Sequence, residues 1–192
     1  MKLGDAEALV RSVAEGQARQ PDPAALDALY ASLPRMECAG KCASCCGPAP
    51  ASPLEMQRIR AAGVRWVDLT KVNLPLGEEM TFACTALNVR TRRCEAYGDR
   101  PMVCRIWGMV EELACPWGCR PEGGFIDSVQ GLRLMNLSLW YGGSSHGMEP
   151  ELWERRMSRP GVRELVLKSY ASRPVVEDSK FLQATIRVRP AD

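Results

Sequence analysis

The stretch around which the chain is organised is Cys38-Ala-Gly-Lys-Cys42-Ala-Ser-Cys45-Cys46. It holds four of the nine cysteines of the chain, and the small residues between them let the backbone fold tightly. Thiolates are soft metal ligands, and C-x3-C and C-x2-C are spacings at which one turn of backbone presents two sulfurs to a metal. The alternative is a chance crowding of inert cysteines, but the five further cysteines downstream favour a metal site.

Cys45 and Cys46 indicate how the sulfurs are shared. Adjacent side chains point in different directions in either a strand or a helix, so two neighbours rarely bind one metal ion. We therefore expect one sulfur for each of two metal centres, with a spare cysteine as the open alternative.

Composition narrows the class of protein. A chain of 192 residues is one domain of ordinary size, or a domain with helical additions, and its 46% hydrophobic content is that of a globular protein. A net charge of +2 gives no strong attraction to nucleic acid or to a membrane surface. The N-terminus lacks signal-peptide features and no apolar run reaches the length of a membrane span, so we expect a cytoplasmic protein. In the reducing cytosol, many cysteines favour metal or redox chemistry over disulfides.

The second half of the cysteine framework has long gaps, which predict loops returning to a common centre. Its members are Cys84, Cys94, Cys104, Cys115 and Cys119. Several arginines share this segment, and a tetrathiolate zinc site carries a charge of roughly −2 by addition over its ligands. We expect Arg100 and Arg105 to offset that charge and to donate hydrogen bonds to sulfur. A solvated basic loop stays open as an alternative, whereas a nucleic-acid patch ranks lower because aromatic residues are not interleaved.

Two helices are predicted from capping residues. Asp22 can cap a helix with Pro23 at its first position, which would bury Leu26, Leu29, Tyr30 and Leu33. Ser52-Pro-Leu-Glu55 has the form of a capping box, so a second helix should begin there, run to about Ala62 and stop at Gly63.

The remaining segments give weaker predictions. Residues 5–19, 150–158 and 162–171 have helical periodicity, residues 64–83 contain formers of short strands, and 181–188 alternates like a terminal strand. The apolar segment from Phe125 to Tyr141 does not distinguish helix from strand. His146, the single histidine, lies in the predicted loop 142–147. It could be a base or a metal ligand, but a lone loop histidine is more often simply exposed.

The cysteine pattern as a whole resembles a known family. The pattern is Cys38-x3-Cys42-x2-Cys45-Cys46, then Cys84, then Cys94-x2-Tyr97-x2-Arg100-Pro101-x2-Cys104-Arg105. It is similar to the CxxCxxCC cysteine-cluster family, the YkgJ-like zinc- or iron-chelating domain, over roughly residues 38–120. The resemblance implies a framework of eight metal-binding cysteines and only weakly a reaction; a related cluster in flagellin lysine methylases is associated with an iron–sulfur cluster.

The resemblance implies a set of cysteine ligands in which the first and the last position stay open. The first gap has three residues where the family name has two, and Cys115 and Cys119 are two candidates for one final position. The implied ligands are Cys42, Cys45, Cys46, Cys84, Cys94 and Cys104, completed by Cys38 and by Cys115 or Cys119. Cys38-x3-Cys42-x2-Cys45 is also the radical SAM spacing, but the strand–helix repeats of that barrel are missing from the sequence.

Three functions compete on this evidence. The favoured one is an iron–sulfur protein, with a 4Fe-4S cluster, in electron transfer or as a small oxidoreductase or modification enzyme. The second is a structural zinc-binding module for protein interaction. The third is an enzyme with an open metal position or a reactive thiolate. The partner would be a redox partner or a protein or small-molecule substrate, with no membrane and with nucleic acid ranked low.

The fold predicted is an α-rich α+β fold, a small irregular metal-knit domain with flanking helices and a few short strands. We divide it into an N-terminal helical segment (1–37), the cysteine-cluster domain (38–120) and a C-terminal extension (121–192), packed as one unit.

Overall fold

A computed structural model describes residues 19–38, 49–64, 84–88, 90–115, 117–162 and 164 of the chain. This part contains five α-helices and one two-stranded antiparallel sheet, in agreement with the α-rich α+β prediction. The elements in chain order are α1 (Pro23–Ala31), α2 (Pro53–Ala61), β1 (Leu87–Asn88), β2 (Arg93–Cys94), α3 (Met102–Ile106), a 3-10 turn (Glu111–Leu113), α4 (Ser128–Tyr141) and α5 (Pro150–Met157). That metal ligation knits the fold together stays a prediction.

Helix α1 begins as its capping residues predict. The carboxylate of Asp22 accepts a hydrogen bond of 2.9 Å from the backbone N–H of Ala25, and a proline occupies the first turn. The predicted buried face is confirmed, since Leu26 is fully buried. Its neighbours on that face pack against the core formed by Met102, Ile106 and Leu134; they are Leu29, Tyr30 and Leu33.

Helix α2 is also confirmed. Ser52 and Glu55 form the reciprocal capping box, and the helix ends at Ala61, before Gly63 takes a φ of 81°. The cap differs from an ordinary one in its burial, because Ser52 and Glu55 are almost entirely inaccessible.

Helix α4 is the longest described helix, and it settles the ambiguity of the apolar segment in favour of helix. The Asp127 carboxylate caps it, accepting from the N–H groups of Val129 and Gln130 at 2.8 and 2.9 Å. α4 packs against α1, α3 and α5.

The end of α4 supports the starts of two other helices. The carbonyl of Tyr141 accepts from Asp22 N at 2.7 Å, and that of Gly142 accepts from Leu54 N at 3.1 Å. A Cβ on Gly142 would overlap the side chain of Ser52, so only glycine fits at this contact. The beginnings of α1 and α2 are thereby fixed against the C-terminal end of α4.

The cysteine-bearing segment 84–119 is more regular than predicted. Where the sequence indicated loops, β1 and β2 form a hairpin with Leu87 opposite Cys94, followed by α3 and the 3-10 turn. A two-residue strand or a five-residue helix is too short to show a periodic pattern, which is why the sequence did not reveal them. An isolated bridge between Val110 and Ile126 ties this segment to the chain just before α4.

Of the other secondary-structure predictions, one is confirmed and the rest lie mostly or wholly outside the described residues. The helix over 150–158 is confirmed as α5. The described residues exclude most or all of four predicted segments, which are the helices at 5–19 and 162–171 and the strands at 64–83 and 181–188. Within the described residues, no helix is both long enough and apolar enough to cross a membrane.

Candidate metal centre

Three predicted ligands, Cys84, Cys94 and Cys104, come from three different local structures. The carbonyl of Cys84 accepts from Leu87 N at 3.0 Å in the turn before β1, and Cys94 ends β2. Cys104 lies in α3, where its N–H donates to the carbonyl of Pro101 at 2.9 Å. All three are partly buried and pack against one apolar cluster, made of Ala49, Ile59, Val64, Ala86 and Ala96. The hairpin and α3 thus bring distant cysteines onto the same core cluster.

Cys115 and Cys119 form a separate pair within one turn. The carbonyl of Cys115 accepts from Gly118 N at 3.0 Å, and Gly118 has a φ of 78°. The thiols of the two cysteines are in hydrogen-bonding contact, and the N–H groups of Trp117 and Cys119 donate to the Cys115 sulfur. Two sulfurs facing each other with backbone donors around them is an arrangement suited to holding a metal as thiolates.

Burial raises the pKa of the Cys115 thiol, and the neighbouring Cys119 raises it further, while the two backbone N–H groups lower it. Metal binding requires the thiolate, so a bound cation would have to overcome this burial cost.

Gly108 connects the α3 region with the Cys115 turn. It has a φ of 86°, and its N–H donates to the carbonyl of Leu113 at 2.8 Å. A Cβ placed on Gly108 would lie 3.0 Å from Met36 Sδ and 3.7 Å from Cys115 Cβ. The chain leaving α3 therefore passes directly beside Cys115, and a side chain at position 108 would displace the end of the Met36 side chain and strain the backbone at its positive φ.

The complete ligand set stays a prediction. Within the ranges that the structure describes, no three His, Cys, Asp or Glu side chains are grouped closely enough to hold a metal ion. Cys42, Cys45 and Cys46 lie outside those ranges, and Cys38 is exposed. The other described cysteines nevertheless fit a thiolate site in chemistry, because they are partly buried sulfur donors and Cys115 already accepts from backbone N–H groups.

Arg100 and Arg105 brace the loop before α3. Arg100 Nε donates to the carbonyl of Tyr97 at 3.1 Å, and its guanidinium lies 3.7 Å from the centre of the Tyr97 ring. Arg105 Nε donates to the carbonyl of Arg100 at 2.7 Å, its Nη2 donates to that of Gly98, and its guanidinium lies 4.1 Å from the Tyr30 ring centre. Their predicted hydrogen bonds to metal-bound sulfur stay a prediction.

Glu55 is a central residue, for which the sequence predicts only a place in a helix cap. Its side chain is 1% exposed, and five donors surround the carboxylate. Oε1 accepts from Tyr30 Oη at 2.5 Å, Met102 N at 2.8 Å and Ser138 Oγ at 3.1 Å. Oε2 accepts from Ser52 N and Oγ at 2.7 and 2.8 Å. Glu55 therefore joins α1, α3 and α4 to α2, and so positions the helix that carries Cys104.

Tyr30 was likewise predicted only as a buried apolar contact. Burial raises its pKa well above the ordinary value, the Glu55 carboxylate raises it further, and the Arg105 guanidinium acts in the opposite direction. Periodicity indicates that Tyr30 faces inward, but nothing in the sequence pairs it with Glu55.

His146 is exposed in its loop, as expected for an ordinary loop residue. Its backbone N–H donates a hydrogen bond of 3.2 Å to Ser144 Oγ.

Comparison with known proteins agrees with the cysteine pattern. Residues 37–120 match the model of the CxxCxxCC family, described as a "putative zinc- or iron-chelating domain". The resemblance predicted from the sequence is confirmed over this range. Searches of curated proteins and of solved structures found no match to the chain.

Proposed function

We propose, from the match of residues 37–120 to the CxxCxxCC family model, that the chain is an iron–sulfur protein that acts in electron transfer or as a small oxidoreductase or modification enzyme. The family supports binding of zinc or iron. The choice of an iron–sulfur cluster, with 4Fe-4S favoured, is ours and rests on the arrangement of the cysteines.

The observation that carries this choice is the packing of Cys84, Cys94 and Cys104 on one core cluster. Iron–sulfur clusters accept cysteines from widely and irregularly spaced positions, whereas zinc knuckles use closely paired ligands. The single histidine, His146, is exposed in the loop after α4, which also favours an all-sulfur ligand set.

The residues of the chain would tune such a centre. Cys84, Cys94 and Cys104 would hold it, and the apolar cluster behind them would limit the access of water. Arg100 and Arg105, close in sequence to Cys104, would partly offset its negative charge. When bound, an iron–sulfur cluster supplies one-electron transfer.

The Cys115–Cys119 turn supports the second candidate, a structural zinc module for protein interaction. Its two sulfurs are in contact, and that of Cys115 accepts from two backbone N–H groups. Trp117 lies between them and is 52% exposed, which places a large aromatic surface where a partner protein could contact it. Zinc at this turn is compatible with iron elsewhere in the chain.

Visible absorption after anaerobic purification distinguishes the two. The iron–sulfur proposal predicts a brown protein whose absorption bleaches on reduction with dithionite. A colourless protein that contains only zinc would overturn the proposal and leave the zinc module.

A further inference from the structure

A cleft lies beside the loop that leads into α3, with a volume of about 220 Å³. Arg100 and Arg105 line the cleft, as do Tyr97 and Tyr30, over whose rings the two guanidinium groups lie. We propose that this cleft binds a small organic carboxylate with an apolar or aromatic body, at a site distinct from the metal ligands.

The donors of Arg100 are available to such an anion. Its Nε donates to the Tyr97 carbonyl, and no other hydrogen bond joins the Arg100 side chain to the described part of the chain. The contact with the Tyr97 ring uses the face of the guanidinium and leaves the N–H groups at its edge. Arg100 therefore has both terminal nitrogens to offer, which is the bidentate geometry that a carboxylate accepts.

Arg105 adds a second positive charge that is already oriented. Two backbone carbonyls, of Gly98 and Arg100, hold its Nε and Nη2, so the guanidinium loses little freedom when an anion binds. Within the residues described, neither Arg100 nor Arg105 is in an ion pair with a carboxylate; the ion pairs there join Arg58 to Asp27 and Arg133 to Glu154.

The nearby carboxylates do not neutralise this charge directly. Glu55 lies behind the Tyr30 hydroxyl, where five hydrogen bonds already surround its oxygens. Asp99, two residues after Tyr97, does not line the cleft and forms no ion pair with Arg100 or Arg105 within the described residues. An anion entering the cleft would therefore meet two cations that are not paired with a carboxylate of the described residues.

The other lining residues of the cleft are apolar, and its volume sets the size of the ligand. They are Leu33, Pro34, Met36 and Met109. A cavity of about 150 Å³ accommodates benzene, so a volume of 220 Å³ suits a ligand of about nine non-hydrogen atoms. Nucleotides and peptides need the larger pockets typical of drug-sized ligands. The combination of two cations, two aromatic rings and an apolar wall favours a compact carboxylate such as benzoate over an inorganic oxyanion.

Calorimetry on the anaerobically purified full chain tests the proposal, with sodium benzoate as the probe and benzamide as its neutral counterpart. We expect saturable one-to-one binding of benzoate, and binding weaker by about tenfold or more for benzamide and for the Arg100→Gln variant. Arg90→Gln removes an exposed arginine of the same segment that does not line the cleft, and it should bind benzoate as the native chain does.

Arg100→Lys separates charge from geometry, and should recover part of the affinity because it keeps the charge but loses the fork of donors. The circular dichroism spectrum of each variant checks that it is folded. Absence of saturable benzoate binding, equal binding of benzamide, or unchanged binding in a folded Arg100→Gln variant would each overturn the proposal. Inorganic phosphate binding as tightly as benzoate would contradict the role of the apolar wall. None of these outcomes depends on whether the metal is iron or zinc.

Discussion

At the residue scale, the Glu55 carboxylate is the most informative side chain. It is buried to 1% exposure, and its five donors come from α1, α3, α4 and its own helix cap. A buried polar group of this kind is stabilising only while every partner is present, because each donor left without an acceptor costs about 1–3 kcal/mol. This one residue therefore controls how α3, and with it Cys104, is held.

The variant Glu55→Gln tests this role. The amide has nearly the same shape as the carboxylate, but its NH2 group cannot accept a hydrogen bond. Placed at the Oε1 position it would face three donors, and at the Oε2 position two donors. The free energy of unfolding should therefore fall by about 3 kcal/mol or more. Urea unfolding under anaerobic conditions measures the loss. Glu151→Gln, at an exposed position in the first turn of α5, serves as the control and should cost about 0.5 kcal/mol or less. Equal effects of the two variants would contradict the account of Glu55.

Tyr30 gives a prediction in pH. Its pKa is raised in the folded state, chiefly by burial, while the unfolded chain should ionise it at a pKa of about 10. The folded state then holds a proton that the unfolded state loses, so the contribution of Tyr30 is complete below pH about 10 and is lost as the pH rises further. The stability advantage of the native chain over Tyr30→Phe should shrink by about 1.4 kcal/mol per pH unit above that value.

Unfolding of both proteins at several alkaline pH values provides the measurement. Ionisation of the cysteines and of the other tyrosines is common to the two proteins and cancels in the difference. An advantage that stays constant with pH would mean that Tyr30 ionises equally easily in the folded and unfolded chain.

At the element scale, the C-terminal end of α4 supports α1 and α2 through the Tyr141 and Gly142 carbonyls. The close approach of α2 leaves no space for a side chain at Gly142, where a Cβ would also lie 2.7 Å from the Ser138 carbonyl. Glycine is required at this position by the lack of space and not by the backbone conformation, because the φ of Gly142 is −78°, which any residue adopts.

Gly142→Ala should therefore destabilise the chain by about 1–3 kcal/mol or more through overpacking. Gly98→Ala is the matched control: a Cβ there would meet nothing within 4 Å, and the residue does not have a left-handed φ. Thermal unfolding of the two variants beside the native chain measures the difference. A stable Gly142→Ala variant would show that the junction of α2 and α4 is looser than the structure has it.

The sequence revealed those elements whose ends carry chemical signals. Asp22-Pro23 and Ser52-Pro-Leu-Glu55 predicted the starts of α1 and α2, because caps depend on local residues. The hairpin and α3 were missed because they are short and depend on packing against distant segments. For the same reason the cysteines could be identified as candidates by type and spacing, whereas the contacts of Tyr30 with Glu55 and Arg105 required the tertiary structure.

At the scale of the whole molecule, the described cysteines other than the exposed Cys38 fall into two groups. One group packs on the apolar cluster behind the hairpin and α3, and the other forms the Cys115–Cys119 turn. Together with the pair Cys45-Cys46 in the sequence, this distribution favours two metal centres, with one of the adjacent sulfurs serving each. The Arg100–Arg105 loop and its cleft would then lie next in the chain to the ligands of one centre.

The measurement that tests the central claim most directly is the iron, zinc and acid-labile sulfide content per chain after anaerobic purification, in the native protein and in Cys94→Ser and Cys104→Ser. The account predicts iron with matching sulfide in the native chain, a marked loss of both in each variant, and visible absorption that falls in parallel. A native chain with no bound metal, or folded variants that keep the full iron and sulfide content, would contradict it.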